Sequence, residues 1–547
     1  EIMSFPVKSV APEVSLDRAE LVLNRYSINA LPVTADGRLL GVITRQTVEK
    51  GIYHGLKAHP VKDYMTTEVA TVEPQASLPE IREKLMVHKQ RLLPVVEDGK
   101  VIGIISRTDL LHLLTAEDDE AQWSQPMRTK NIISLMRERL PKDILKILQQ
   151  VGEVAAELQF QAYVVGGFVR DLLLRHENLD IDIVIEGDAI IFARLFASRY
   201  GARSREFQKF KTAVLIFPDG FKIDVATART EYYEAPGALP VVEYSSIKMD
   251  LYRRDFTINT LALKLNPGEF GTLLDFFGAQ RDLKEGLISL LHNLSFVEDP
   301  TRVFRAVRFE QRFKFRISKL TTNLINNAVR HNFFDRLSGA RLFQELKLIL
   351  QEENPIPAIT RLAEFDLLKA VHPRLNYDEA TRSMLERVQA VLSWYDLLYL
   401  EDKYQRWLVY FLGLVEPLNP QELAEMLKGF NLSPKLARAL VLGKEAADQA
   451  LISLYRLEEP ARSRIYHLLA PLDTEYLLYM LAKSRQEPSR RAISLYFTHL
   501  KKLKPELRGR DLVALGYKPG PLIKEMLDSL LEARINEQVK SRKEEKD

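Results

Sequence analysis

Hydrophobic positions along this chain change their spacing from region to region, and each change predicts a different kind of element. In the first 115 residues, apolar β-branched runs flank an Asp-Gly pair. Ala30-Leu31-Pro32-Val33, Asp36-Gly37 and Gly41-Val42-Ile43-Thr44 make one such set. Leu92-Leu93-Pro94-Val95, Asp98-Gly99 and Gly103-Ile104-Ile105-Ser106 repeat it. Asp-Gly between two such runs is a two-residue hairpin signal, so each copy predicts helix, strand, turn, strand and helix. Val7-Lys8-Ser9-Val10 and Val69-Ala70-Thr71-Val72 add a short leading strand to each copy. Residues 116–130 are polar and carry Pro126, which predicts a linker. From 131 to 158 the apolar residues (Ile132, Leu135, Met136, Ile144, Leu145, Ile147, Leu148) fall at helical spacing.

A tighter alternation follows. A strand over 163–165 ends at Gly166-Gly167, a helix covers 168–174, and a second strand covers 179–185. A helix near 189–200 and strands at 213–217 and 221–226, joined by Pro218-Asp219-Gly220, complete the region. Pro300 stands near the first turn of a further helix. Leu342, Leu346 and Ile349 stripe another, on which Arg341 and Glu345 stand four apart. Beyond about residue 350 the spacing is helical throughout, interrupted at Pro355-Ile356-Pro357 and Pro417-Leu418-Asn419-Pro420.

Composition narrows the chemistry. A chain of 547 residues can hold several domains and ample core. It has no cysteine, which excludes disulfides, zinc thiolate sites and thiol catalysis. The net charge of +3 and pI near 8.6 permit a nucleic-acid partner without demanding one. No apolar run approaches the length of a membrane span and no signal peptide opens the chain, so a cytoplasmic protein without a membrane partner is expected. The opening Glu1-Ile2-Met3 leads to the expectation of further sequence upstream.

The candidate chemistry gathers around 163–185. Gly166-Gly167 lets backbone N–H groups approach an anion at a helix N-terminus. Asp180 and Asp182, two apart on a strand, share one face and repel unless a cation lies between them. Strand, glycine pair, helix and paired carboxylates together place a phosphate cradle beside a Mg²⁺ site, as transfer from a nucleoside triphosphate requires. Asp224, in Phe221-Lys222-Ile223-Asp224-Val225, is a third acid able to join a two-metal site or deprotonate an attacking hydroxyl. Arg253-Arg254-Asp255 offers guanidinium groups for triphosphate oxygens and a carboxylate for ribose hydroxyls. Asp299, Arg302 and Arg305 can project from one helix face. Late in the chain Arg490, Arg491, Lys501 and Lys502 concentrate positive charge suited to an RNA backbone.

The two N-terminal copies resemble a tandem pair of CBS domains, 1–58 and 59–115. Such pairs bind adenosine nucleotides through a Gly-x-x-Ser/Thr-x-x-Asp signature. The second copy matches it with Gly103, Ser106 and Asp109, while the first has Gly41 and Thr44 but Thr47 in place of the Asp. One adenine-nucleotide site, through Ser106 and Asp109, is therefore expected, and the pair can also serve as a dimer-forming module. Beyond a linker at 116–140, GGFVRD with DID, RRDFTIN, DFFGAQRDL, EDPTR with RAVRF and SGARLFQEL stand in the order found in class II tRNA nucleotidyltransferases and bacterial poly(A) polymerases. Ala340 departs from a more usual Glu in the last of these motifs, which is mainly structural in the family.

That resemblance implies a multidomain α/β plus all-α architecture. Tandem α+β CBS domains would precede a polymerase-β-like nucleotidyltransferase head with a small mixed sheet at 141–285. A neck with a base-selecting helix would follow at 286–350, then a helical, tRNA-binding body and tail at 351–547. It implies template-independent addition of C, and of A, to the tRNA 3′ end from CTP and ATP. Asp180 and Asp182 would hold two Mg²⁺ ions, with Asp224 assisting. Gly166, Gly167, Arg170, Arg253, Arg254, Asp255 and Asn259 would hold triphosphate and ribose, and Asp299, Arg302 and Arg305 would read the base. Cytosine and adenine share an amino donor beside an unprotonated ring nitrogen, which an Asp–Arg pair can read without a template. The stretch from Glu231 to Pro240 lacks the Arg pair common in enzymes that build a whole CCA end and carries two prolines, so CC addition is expected. The alternatives are a poly(A) polymerase on general RNA ends and a non-catalytic, adenosine-sensing CBS protein with a vestigial head.

Overall fold

A computed structural model describes the chain apart from residues 1–2, 5–6, 27, 88–89, 91, 107–129, 233–240, 458–460 and 547. It divides into two compact units, Glu1–Leu337 and Ser338–Asp547.

The first unit opens with the repeat. Helix α1 (Leu16–Arg25), strands β1 (Ala30–Ala35) and β2 (Arg38–Thr44) and helix α2 (Arg45–Tyr53) form one copy. Helix α3 (Leu78–Val87) with β3 (Leu92–Glu97) and β4 (Lys100–Ser106) forms the other. Both turns take positive φ at the Asp and the Gly (Asp36 51°, Gly37 79°; Asp98 50°, Gly99 77°), the backbone their sequence demands. The four strands make one sheet in the order β1-β2-β4-β3. The leading strands shrink to single parallel bridges, Val10 to Val33 and Val72 to Val95. In the first copy the Thr47 hydroxyl lies 2.9 Å from that of Thr44, the residue that caps α2. Ser106 ends β4 opposite Leu92, and Asp109 lies outside the described residues.

The second sheet builds the head. Its strands are β5 (Lys130–Asn131), β6 (Gln161–Val165), β7 (Ile181–Glu186), β8 (Arg203–Phe207), β9 (Thr212–Ile216) and β10 (Lys222–Thr227). A separate two-stranded pair, β11 (Arg229–Tyr232) and β12 (Val241–Tyr244), precedes β13 (Leu261–Lys264) and β14 (Thr272–Asp275). The eight-stranded order is β5-β14-β13-β6-β7-β10-β9-β8, mixed because β7 and β10 run parallel and the other pairs antiparallel. Helices α4 (Ile133–Arg139), α5 (Lys142–Glu157), α6 (Gly167–Leu173) and α7 (Ala189–Tyr200) precede β8, and their apolar faces bury Met136, Leu148, Phe168, Phe192 and Phe196 with Val164, Ile183 and Val225 of the sheet. The linker expected over 116–140 therefore ends earlier: Lys130–Asn131 pairs with β14, and Met136 is fully buried.

Helices α8 (Ile247–Tyr252), α9 (Ala279–Glu285), α10 (Ser295–Glu298), α11 (Thr301–Phe313) and α12 (Lys319–Arg330) complete the first unit. The neck expected over 286–350 divides, because Ser338 onward belongs to the second unit. That unit is helical throughout its described residues. Helix Arg406–Leu414 is buried along Trp407–Leu414, surrounded by helices such as Glu379–Asp396 and Thr474–Lys483. The proline pairs mark helix starts: Asn419 and Glu422 close a capping box ahead of Pro420–Gly429, and Pro357 sits in the first turn of Ile356–Glu364.

Candidate active site

Strand β6 ends at Val165, and the chain reverses at Gly166 with φ +73°. The left-handed backbone angle there calls for glycine, and a Cβ would stand 2.7 Å from Nη1 of Arg254 and displace it. Helix α6 then buries Arg170 and Asp171. Arg170 donates from Nε and Nη2 to the two carboxylate oxygens of Asp171 (2.8 Å each) and from Nη1 to Oδ1 of Asn259 (2.6 Å). Its guanidinium also lies 4.5 Å from the Phe313 ring centre. Asp171 accepts from Asn178 Nδ2 (2.7 Å), and Asn178 Oδ1 accepts from the backbone N–H of Asp180 (2.8 Å). Arg170, expected on phosphate, thus also anchors the turn that presents Asp180.

Asp180 is exposed just ahead of β7, not within the strand as its spacing predicts. Asp182 is the second residue of β7, and parallel pairing sets Asp224 of β10 directly opposite it. Burial pushes the Asp182 carboxyl up to about 6; Arg254 offsets part of this, while Asp180 and Asp224 add to it. Burial and Asp180 likewise raise Asp224. Three carboxylates that disfavour one another, with no nitrogen or sulfur donor among them, match a hard divalent ion such as Mg²⁺.

That electrostatic load has a measurable sign. The folded pKa of Asp182 lies above the ordinary carboxylate value, so the folded state holds the proton more tightly than the unfolded chain. Stability falls as pH rises from the ordinary value to about 6, and above that the full penalty, on the order of 3 kcal/mol, is present. In Mg²⁺-free buffer at pH about 8, Asp182→Asn is expected to melt above wild type, and the gap should vanish at pH about 4. Mg²⁺ should raise the melting temperature of wild type only. Thermal denaturation with and without Mg²⁺ checks this; a wild-type midpoint indifferent to Mg²⁺ would remove the carboxylates from metal binding.

Another part of the site is cationic and rests on Asp250 of α8. Fully buried, Asp250 accepts from Arg253 Nε (3.0 Å) and Nη2 (2.7 Å) and from Arg254 Nη2 (3.3 Å). Burial opposes its ionisation, but Arg254 and Arg253 outweigh this and hold it below the usual carboxylate range. Asp255 is bound by Asn259 Nδ2 (2.9 Å), the Phe256 N–H (2.8 Å) and Arg305 Nη2 (2.7 Å). Arg305, expected beside the base, therefore clamps Asp255. Asp299 Oδ1 accepts from the N–H (3.1 Å) and hydroxyl (2.6 Å) of Thr301. Arg302 donates to Ser295 Oγ (2.5 Å) and the Arg253 carbonyl (2.9 Å).

One cavity of about 820 Å³ is lined by Gly167, Arg170, Asp180, Asp182, Asp224, Arg253, Arg254, Asp255, Asn259, Asp299, Arg302 and Arg305. Gly166 forms its turn without lining it. Arg308 and Arg312 extend the cationic part along α11. The recurrence of arginine at 302, 305, 308 and 312 was a legible signal for them, whereas Asp171, Asn178 and Asp250 carried none. The basic residues expected on RNA belong to the second unit. Arg490 and Arg491 line a groove there with Arg387 and Trp394; Arg491 pairs with Glu487 at 3.1 Å and Lys501 with Asp402 at 2.7 Å, and Lys502 is exposed.

Glu298, next to Asp299, ties the head to the first CBS copy. Its buried carboxylate meets Nζ of Lys50 in α2 at 2.9 Å, Nε2 of His54, the C-cap of that helix, at 3.8 Å, and His292 Nε2 at 3.3 Å. Burial opposes its ionisation, yet His292, His54 and Lys50 hold it well below the usual range.

Residues 162–289 match the Poly A polymerase head domain family, 1–53 and 61–116 the CBS domain family, and 314–378 the family described as a probable RNA and SrmB-binding site of polymerase A. The chain is 45% identical, over its whole length, to the A-adding tRNA nucleotidyltransferase of Geobacter sulfurreducens, of which it spans 63%. It is 34% identical to the A-adding tRNA nucleotidyltransferase of Halalkalibacterium halodurans, covering 74% of this chain and 92% of that one. Among solved structures, the Thermotoga maritima CCA-adding enzyme complexed with tRNA superposes with a TM-score of 0.60 at 36% identity, covering 76% of this chain and 97% of that one.

Proposed function

The chain belongs to the tRNA nucleotidyltransferase family, and from that premise we propose that it adds a single adenosine to tRNA 3′ ends that already finish in CC. What carries this proposal is likeness over the full chain to an A-adding enzyme, in a protein whose cavity brings three carboxylates and a group of arginines together. The CC addition expected from residues 231–240 gives way to it. Residues 233–240 lie outside the described part, and an enzyme that adds only A has no need to re-form its base pocket between nucleotides.

Asp180 and Asp182 would hold the Mg²⁺ ions, two in number, with Asp224 beside them. Bound there, such ions lower the pKa of an attacking hydroxyl and neutralise triphosphate charge. The residues around them do the rest. The tRNA 3′-oxygen attacks the α-phosphorus of ATP while the bond to the β-phosphate oxygen breaks and pyrophosphate leaves. Asp224, exposed on β10, is placed to take the hydroxyl proton. Arg253 and Arg254 meet the phosphates, and Asp255, held ionised by Arg305 and Asn259, meets the ribose hydroxyls. Asp299, its orientation set by Thr301, accepts from the adenine amino group, and Arg302 donates to the neighbouring ring nitrogen.

Incubation with tRNA ending in CC, or lacking CCA altogether, and a single labelled nucleotide tests the proposal. One A on the CC-ended tRNA and no CTP incorporation on either substrate is the expected result. CTP incorporation on bare ends restores C addition, a tract of A on unrelated RNA favours a poly(A) polymerase, and no incorporation of any nucleotide sinks the enzyme.

A further inference from the structure

Away from the cavity, the loop after α2 meets the C-terminal end of α12. His59 and Asp63 come from the first, in and beside a short turn at Val61–Asp63, and His331 caps the second. His331 Nε2 lies 2.7 Å from Oδ2 of Asp63, the two imidazole ring centres are 4.2 Å apart, and one donor atom from each of the three residues lies within 4.8 Å of the others. Asp63 is buried, and Asn327 Nδ2 fixes its carbonyl at 2.6 Å. None of these groups touches the nucleotide cavity.

We propose that His59, Asp63 and His331 form a binding site for a divalent transition-metal ion of the zinc class, at the seam between the segment joining the two CBS copies and α12. Two imidazoles and a carboxylate favour Zn²⁺, Co²⁺ or Ni²⁺ over Mg²⁺, which prefers oxygen donors. His59 Nδ1 is engaged with the Tyr64 hydroxyl at 2.8 Å, which orients Nε2 as the ligand atom, the outer-sphere arrangement that ligating histidines adopt. Water completes a four-coordinate shell. Arg330, largely exposed, lies 3.4 Å from Oδ1 of Asp63, while Oδ2 faces His331 Nε2, and an ion would take the place of the proton those two share. As a neighbouring cation Arg330 lowers the site's affinity. The last carbonyls of α12 act in the other direction, because a helix C-terminus favours positive charge.

The full chain, stripped of metal and held in excess Mg²⁺ to saturate the carboxylate site, is titrated with Zn²⁺ by calorimetry and with Co²⁺ by visible absorption. The wild type is expected to take up one ion with the absorption of tetrahedral cobalt. His59→Asn and His331→Asn should lose it, Tyr64→Phe should weaken it about tenfold, and Arg330→Gln should tighten it. The Asp180→Asn/Asp182→Asn double variant should keep it. Circular dichroism checks that each variant folds; Tyr64→Phe and Arg330→Gln keep the test decisive if a histidine variant does not. No uptake by the wild type means an ion pair only, and uptake that survives in both histidine variants places the ion elsewhere; either result overturns the proposal.

Discussion

Asp182→Ala is expected to lower nucleotide addition by about 10³-fold or more while tRNA binding persists. The carboxylate faces Asp224 across parallel strands at the floor of the cavity. Divalent ions in such a site supply several kcal/mol of charge stabilisation, and each ~1.4 kcal/mol is a factor of ten in rate. The surrounding fold should not suffer, because the substitution removes a group that burial and three neighbouring carboxylates disfavour. Single-turnover addition of labelled ATP, beside filter binding of tRNA, separates the two effects. Near-normal turnover would move the metal site elsewhere.

Asp250→Ala should act through the nucleotide. Asp250 makes no contact that points to chemistry of its own; it holds Arg253 and Arg254, and Arg254 in turn packs on the Gly166 turn. Removing it leaves two guanidinium groups without their buried anion, a loss of about 3–5 kcal/mol in stability. The KM for ATP should rise about 10–100-fold, the loss expected for displacing a charged contact worth ~1.5–3 kcal/mol, with kcat falling less. Steady-state kinetics and urea denaturation measure both. Asp250→Asn, which keeps one acceptor, should recover most of the stability and part of the KM. Equal KM values in Asp250→Ala and wild type would make Asp250 a structural residue only.

How much of this was legible in the sequence depended on the range of the interaction. The glycine turn, the two strands bearing Asp182 and Asp224, and the helix bearing Arg302 to Arg312 all follow from local spacing, and each lies within a residue or two of its expected place. Asp180 fell off its strand because Asn178 and Asp171 hold the preceding turn, a contact that no periodicity announces. Arg170 and Arg305 looked like ligands for phosphate and base. The fold pairs Arg170 with Asp171 and Arg305 with Asp255, and no periodicity announces either ion pair. Strand β5 exists only because β14, 140 residues later, lends it hydrogen bonds, so a polar Lys-Asn pair read as linker.

The buried carboxylate of Glu298 bears on how such a protein could have been assembled from modules. Its nearest cation, Lys50, comes from a segment that matches a different family from the head. With that partner in place, the accessory pair is tied to the head through a buried charge. A lineage that shed it would leave the buried Glu298 carboxylate without Lys50 and His54, with His292 alone beside it. Loss of the module is thereby made harder than its gain, and the fusion works as a ratchet.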